Sequence, residues 1–221
     1  MSGRRLGVLG GTFDPIHYGH LDAGDAAQRA LALDEIRIVP AHDPPHKPGD
    51  PRASAFHRFA LVALATQDRP SWRVSDAEMR RQGQSYTYDT LKALQAEGWA
   101  ASQIFFILGA DAFAEIATWH RFPAVVDEAH FVVVARPGMT LDAAIRRTPM
   151  LLPRVQTPGS AGDLPSATAI FLVHATTRDV SSSEVRARLA GGLPIDDLVP
   201  PPAARHILAH DLYGAVRASS F

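Results

Sequence analysis

Two histidines, His17 and His20, flank a glycine in the stretch GGTFDPIHYGH, which begins at Gly10. The stretch follows the apolar run LGVLG (6–10) and precedes a helical pattern over 20–33, so it is predicted to be a strand-to-helix loop. Glycines let backbone N–H groups approach an anion, and a helix N-terminus attracts negative charge. Imidazoles beside bound phosphates gain a proton and stabilise them further. The spacing predicts a phosphate-binding loop; the plainer interpretation makes His20 a helix-cap substitute and His17 a surface loop residue.

Two further cations come from other segments. Lys47 ends the proline-rich loop AHDPPHK and is one of only two lysines in the chain. A lysine is a compact, mobile charge that suits a phosphate whose geometry changes during transfer. Arg186 lies one turn inside a predicted helix whose first residues, Ser182 and Ser183, offer N–H groups to an anion. The plainer interpretations are a solvated loop lysine and a capped surface helix, in which Arg188 is as good a candidate.

Composition limits the class of protein. With 221 residues and 46% hydrophobic content, the chain suits one α/β domain over 1–221. A net charge of −1 provides no basic field for nucleic acid, so we expect a small-molecule partner and no nucleic acid. The chain has no cysteine, which excludes disulfides and thiolate metal sites and agrees with a cytoplasmic location. Because no membrane-length apolar run occurs, we expect no membrane association.

Short apolar runs alternate with helical segments, which predicts a doubly wound, mostly parallel sheet with ligands beyond the carboxyl ends of its strands. The predicted strands are 6–10, 35–40, 72–75, 104–108, 130–135 and 169–174, and the predicted helices are 20–33, 56–65, 88–96, a short piece around 111–116, 181–190 and one more in the tail. For 136–168 we expect a loop with a short helix at 141–147. A small helical portion is expected over about 181–221, where Ser181 and Glu184 form a capping box.

The stretch GGTFDPIHYGH resembles the signature of the nucleotidyltransferase superfamily, whose H-x-G-H motif binds the triphosphate of ATP or CTP. The similarity is closer to the bacterial nicotinate-nucleotide adenylyltransferases. The further stretches that carry it are PAHDPPHK (40–47), SYTYDTL (85–91), GADAF (109–113), TW (118–119), SSSEVRARL (181–189) and the closing LVPPPAARHI…LY. They follow one another over nearly the whole chain. The resemblance implies a Rossmann-like nucleotidyltransferase fold.

The implied reaction transfers the adenylyl group of ATP to nicotinate mononucleotide, giving deamido-NAD and pyrophosphate in NAD biosynthesis. The attacking phosphate is already ionised, so positioning and electrostatics suffice, without a covalent intermediate. By resemblance, Mg²⁺ arrives with ATP and is held mainly by phosphate oxygens, with no metal site on the protein. The implied catalytic residues are His17, His20, Lys47 and Arg186. The implied ATP-binding residues are Gly10, Gly11, Thr12, Phe13, His17, His20, Gly109, Asp111, Ser182, Ser183 and Arg186.

The acceptor side is expected at SYTYDTL. A pyridine carboxylate is met best by the N–H groups of a helix start, where Tyr86 and Thr87 lie, and Trp119 is placed to stack on the pyridinium ring. Lys47 is the fourth implied residue for nicotinate mononucleotide. In the plainer interpretations Thr87 is a helix cap and Trp119 a core residue. Asp14, before a proline, is interpreted as a brace of the loop.

Other functions stay open from the sequence. An adenylyltransferase acting on nicotinamide mononucleotide or phosphopantetheine would share the phosphate loop. A nucleotide-binding regulator without turnover is a second class, and an RNA-binding module a third. The near-neutral charge argues against the RNA-binding module. The sequence also leaves open a homo-oligomer.

Overall fold

The computed structural model describes residues 3–45, 52–135, 140–157 and 167–215. The apolar runs of this part form seven strands in one sheet, in the order β3-β2-β1-β4-β5-β7-β6, and every neighbouring pair is parallel. The doubly wound parallel sheet predicted from the sequence is confirmed. The strands are β1 (Leu6–Gly11), β2 (Glu35–Pro40), β3 (Trp72–Val74), β4 (Ile104–Gly109), β5 (His130–Val134), β6 (Val155–Gln156) and β7 (Ile170–Val173).

Helices cover both faces of the sheet. The helices are α1 (Tyr18–Leu31), α2 (Ala55–Thr66), α3 (Thr87–Ala96), α4 (Ala110–Ala114), α5 (Leu141–Arg146), α6 (Ser182–Ala190) and α7 (Pro201–Ala209). Apolar residues of α1, α2, α6 and α7 share one buried cluster, and those of α3, α4 and α5 share another. Strands covered on both faces read as continuous apolar runs, which is why IFFIL and HFVVV were recognisable in the sequence.

The structure departs most from the sequence prediction at two places, while other element ends differ by one or two residues. Helix α1 begins at Tyr18, two residues earlier than predicted, because His17 takes the cap position with extended backbone. Residues 136–168 were expected to be a loop with one short helix, and 136–139 and 158–166 of this segment lie outside the described residues. The helix is present as α5, but Pro149–Arg154 form a 3-10 helix and β6 adds an edge strand beside β7. A two-residue strand is too short to show an alternating pattern in the sequence.

The strand order reverses between β1 and β4, which is where doubly wound sheets bind their ligands. Gly10 and Gly11 end β1 opposite Val39 and Pro40 of β2, while Leu9 pairs with Ile107 of β4. The loops after β1, β2 and β4 therefore meet at one edge of the sheet. A Cβ atom on Gly10 would lie 3.1 Å from the Phe106 ring, so glycine suits the close packing there.

His130 lies at the start of β5 and is fully buried. Its Nε2–H donates to the Ser102 carbonyl at 3.1 Å, and its Nδ1 accepts the Ala169 N–H at 3.0 Å, which assigns the neutral tautomer. A second proton on Nδ1 would break the bond to Ala169. Burial lowers the pKa of His130 from 6.5 to about 4.

Acid is therefore expected to weaken the fold through His130. The unfolded chain binds this proton near pH 6.5 and the folded chain only near pH 4. The contribution of neutral His130 to the free energy of unfolding is complete above pH 6.5 and is lost as the pH falls toward 4. This loss amounts to about 3 kcal/mol at most. In urea unfolding between about pH 7 and pH 4, His130→Phe should be less stable throughout but lose less free energy on acidification. An equal acid loss in both proteins would contradict this assignment.

Candidate active site

The two histidines of the opening motif are stacked at the N-terminus of α1. His17 is the cap residue, only 1% exposed, and its backbone N–H donates to Nδ1 of His20 at 3.3 Å. The ring centroids lie 3.7 Å apart, and Phe13 packs edge-on against His20. The His20 side chain therefore takes part in capping α1, as the plainer interpretation has it. The interpretation of His17 as a surface residue is wrong, because its side chain is buried. Packing holds both imidazoles beside the first turn of the helix.

Gly19 has a steric reason to be glycine. A Cβ atom there would lie 3.2 Å from the His17 ring and 3.3 Å from the Arg178 carbonyl oxygen. These contacts are tighter than real Cβ contacts usually are, so a larger residue would displace the His17 ring. The glycine between the two histidines preserves their stacked arrangement.

Helix α6 lies against the same loop. The Ser182 hydroxyl donates to the Pro15 carbonyl at 2.9 Å, and Nη1 of Arg186 donates to the Asp14 carbonyl at 2.6 Å. Nη2 of Arg186 donates to the Ser183 hydroxyl at 3.1 Å. Arg186 and Asp14 are 172 positions apart in the sequence. The structure thus brings Arg186, Ser182 and Ser183 to the loop that carries the histidines.

The start of α6 is fixed by two local features. The Ser181 hydroxyl accepts the Glu184 N–H at 3.1 Å, which is the cap predicted from the sequence. Upstream, Arg178 donates its backbone N–H, Nε and Nη2 to the Asp22 carboxylate of α1. Burial alone would raise the pKa of Asp22, but these hydrogen bonds outweigh it and lower the pKa. The Arg178 guanidinium also lies 3.7 Å over the Tyr18 ring, so this segment is attached to α1.

The end of β4 carries the remaining residues that the sequence predicts on the nucleotide side. Gly109 caps α4, and Asp111 is exposed in the first turn of that helix. Because β4 pairs with β1, both residues lie at the sheet edge that carries the phosphate loop. Thr12 is buried, and its carbonyl accepts a hydrogen bond from the guanidinium of Arg58 on α2. The backbone geometry is therefore compatible with a nucleotide lying across the ends of β1 and β4.

Aromatic side chains lie around the segment where the sequence predicts the acceptor. Thr87 opens α3, and the Tyr86 ring before it stacks on His120 at 4.1 Å. Trp119 is half-buried and meets the Phe106 ring edge-on, with centroids 6.0 Å apart. Phe106 is the ring packed under Gly10, so Trp119 is linked to the phosphate loop through one side chain. Trp119 thus contacts the core and also keeps an exposed surface.

Asp14 braces the loop, as interpreted from the sequence. Its two carboxylate oxygens accept the N–H groups of Arg52 and Ala53 at 2.8 and 3.1 Å. The Tyr213 side chain lies near this carboxylate, and burial first, then Asp14, raises the pKa of its phenol. Asp14 thus ties its loop to the segment before α2.

Some residues fall outside these contacts. Lys47 and His46 lie outside the described residues. His120 was not predicted; its only sequence signal is its position next to Trp119. Arg58 was also missed, because a single charge inside the apolar helix α2 resembles a surface residue.

The site offers cations and N–H groups rather than a cage of carboxylates. Across 3–45, 52–135, 140–157 and 167–215, no group of three or more His, Cys, Asp or Glu residues could hold a metal ion. His42, in the loop after β2, is exposed. In the same part of the chain, no helix combines the length and apolar character that crossing a bilayer requires.

Comparison with known proteins identifies the family. The model of the cytidylyltransferase-like family matches residues 8–188. A protein of Roseiflexus sp. named probable nicotinate-nucleotide adenylyltransferase is 39% identical over 215 residues, covering 96% of this chain and 100% of the relative. One of the same name from Trichlorobacter lovleyi is 40% identical over 212 residues, covering 95% and 99%. The chain belongs to the nicotinate-nucleotide adenylyltransferase family.

A solved structure shows the fold of this adenylyltransferase family member independently. Nicotinic acid mononucleotide adenylyltransferase of Plasmodium falciparum, complexed with NaAD, superposes with a TM-score of 0.74. It is 20% identical and covers 97% of this chain and 99% of its own. The Rossmann-like nucleotidyltransferase fold expected from the sequence is confirmed.

Proposed function

We propose that this adenylyltransferase transfers the adenylyl group of ATP to nicotinate mononucleotide, releasing deamido-NAD and pyrophosphate. An oxygen of the mononucleotide 5′-phosphate bonds to the α-phosphorus of ATP, and the bond from that phosphorus to the bridging oxygen of the β-phosphate breaks. The observation that carries the proposal is the meeting of His17, His20 and Arg186 on one loop at the β1/β4 switch point. Full-length similarity to relatives of this name supports the acceptor.

Electrostatic repulsion is the main obstacle to this reaction. Two unit charges 4 Å apart repel by roughly 4 kcal/mol at an effective dielectric of about 20. The Nε2–H of His20, whose Nδ1 accepts the His17 backbone N–H, would donate to the charge that develops on the departing pyrophosphate, with His17 packed beside it. Arg186 and the N–H groups at the start of α6 would hold other phosphate oxygens. Gly10, Gly11, Thr12 and Phe13 form the loop wall, and Gly109 and Asp111 would meet the ribose.

Nicotinate selection is assigned to the start of α3. The first-turn N–H groups near Tyr86 and Thr87 suit a ring carboxylate better than a carboxamide. Trp119 would stack on the pyridinium ring, an interaction of about 0.5–2 kcal/mol. We also assign Lys47 to this side, as the sequence predicts.

Magnesium ion would be carried by ATP. The donor set of the described site consists of imidazoles, a guanidinium and backbone N–H groups, and no group of three ligands occurs there. This set fits an ion held mainly by phosphate oxygens and water. When bound, Mg²⁺ neutralises part of the phosphate charge. We propose a cytoplasmic enzyme acting as a single domain on these two small molecules, without nucleic acid or membrane partners.

Comparing two acceptors tests the function. Purified protein with Mg²⁺ and ATP is expected to release pyrophosphate at least about 10-fold faster, in kcat/KM, with nicotinate than with nicotinamide mononucleotide, the ratio for 1.4 kcal/mol of discrimination. His20→Ala serves as the control for contaminating activity. Equal rates would contradict the assignment of the α3 N-terminus, and binding of ATP without release from either acceptor would favour a regulator.

A further inference from the structure

Arg58 is a charged side chain in the interior of the protein. It lies on α2, is 1% exposed, and its guanidinium donates to four backbone carbonyls at 2.5–3.2 Å. These carbonyls belong to Thr12, Ala41, His42 and Ala53. The planar, forked guanidinium is the one side chain that offers this many donors in fixed directions.

Burying this cation is unfavourable for stability alone. Burial lowers the pKa of Arg58, and the nearby Asp14, Tyr213 and Glu78 groups only partly offset it. Apolar side chains of similar volume often serve a buried position at least as well as a charge. Fold stability alone therefore does not explain an arginine at this position, and the loops that it holds are the better explanation.

The four carbonyls identify those loops. Thr12 lies directly after β1, in the loop that leads to His17 and His20. Ala41 and His42 directly follow β2, and Ala53 precedes α2. Arg58 is thus the point at which the phosphate loop is joined to the neighbouring loop on the acceptor side.

Other contacts fix the same loops from their outer sides. The Ala41 N–H donates to the Gly11 carbonyl at 2.8 Å, beside the bond from Arg58 to the Ala41 carbonyl. The Ser85 hydroxyl, just before α3, accepts the N–H groups of His42 and Asp43. The chain after β2 is therefore held between Arg58 on one side and the α3 segment on the other.

We propose that Arg58 is a positioning residue for adenylyl transfer, which sets the separation between the triphosphate loop and the acceptor-side loop. This inference rests on the proposed function. In-line attack requires the attacking phosphate oxygen to lie within about 3–3.5 Å of the α-phosphorus. A displacement of about 1 Å between these two atoms is sufficient to cost roughly 100-fold in rate. Arg58 touches neither substrate; it acts through the backbone of Thr12 and Ala41.

Arg5 provides a matched control. It is 5% exposed, and its Nη1 donates to the Leu31 carbonyl at 2.8 Å, but it precedes β1 at the opposite end of the sheet. Arg5→Met and Arg58→Met both remove a buried guanidinium that binds backbone carbonyls. Only the second loosens the site.

The test compares kcat and KM of these variants with Tm. Arg58→Met is expected to lower kcat about 100-fold, with a smaller change in the KM for ATP, because alignment rather than binding is lost. Arg5→Met is expected to lower Tm to a similar degree and to leave kcat within about threefold of wild type. Assays are run well below the Tm of each protein.

A second pair keeps the test decisive if Arg58→Met does not fold. Lysine retains the charge but cannot reach four carbonyls, so Arg58→Lys should lower kcat about 10-fold while Arg5→Lys stays near wild type. If the Arg58 variants lose no more kcat than their Arg5 counterparts at a matched loss of Tm, the positioning role of Arg58 is overturned while the proposed function stands. If wild type itself does not transfer the adenylyl group, the proposed function is overturned, and the positioning role with it.

Discussion

Replacing His20 by alanine is expected to lower kcat for pyrophosphate release by at least about 100-fold, because a preorganised group facing developing charge is worth roughly that much. The same change removes the acceptor for the His17 backbone N–H. Loss of a helix cap costs about 1 kcal/mol, which corresponds to roughly 2–4 °C in Tm for a chain of this size. Steady-state kinetics and thermal unfolding of the same preparation measure both effects.

His20→Asn separates the two roles of this side chain. Its amide oxygen can accept the His17 N–H, as Nδ1 does now, but it has no N–H at the position of the imidazole Nε2. We expect Tm to return toward the wild-type value while kcat remains low. Recovery of kcat together with Tm would mean that His20 serves only as the cap of α1.

Replacing Arg186 by methionine is expected to lower kcat/KM by about 100- to 1,000-fold, since one charge-assisted donor to the phosphates is removed. Arg188 on the same helix is the matched control. Its guanidinium binds the carboxylates of Asp197 and Glu184, and these pairs belong to the surface of the molecule. The sequence could not choose between the two arginines, whereas the contact of Arg186 with the Asp14 carbonyl favours Arg186.

Arg188→Met should leave kcat/KM within about twofold, because exposed ion pairs contribute little. Arg186→Lys should retain part of the rate, since it keeps the charge but loses the fork that binds Asp14 and Ser183. A larger loss in Arg188→Met than in Arg186→Met would contradict the assignment.

Much of the fold was predictable because its signals are local. The buried central strands IFFIL and HFVVV appear as continuous apolar runs, and the Ser181 cap appears as a hydroxyl three residues before Glu184. The predicted phosphate-binding loop was recognisable for the same reason, since its glycines and histidines lie within eleven residues of the chain, from Gly10 to His20. Such a motif predicts which residues act together, but not where they lie in the fold. The structure places them where the strand order reverses between β1 and β4.

Other features depend on contacts that are distant in sequence. Nothing around Arg58 indicates that its guanidinium meets carbonyls from two loops, because those carbonyls carry no side-chain signal. The stacking of His120 on Tyr86 likewise joins segments with separate patterns. Strand β6 was missed because two residues at a sheet edge are recognisable only from their pairing with β7.

The most direct measurement is a crystal structure of the protein with a non-hydrolysable ATP analogue. The account predicts phosphate oxygens within hydrogen-bond distance, about 3 Å, of the His20 ring, the Arg186 guanidinium and the first N–H groups of α6. The adenosine should then lie across the ends of β1 and β4. Phosphates bound elsewhere, with His17, His20 and Arg186 all turned away from them, would contradict the account.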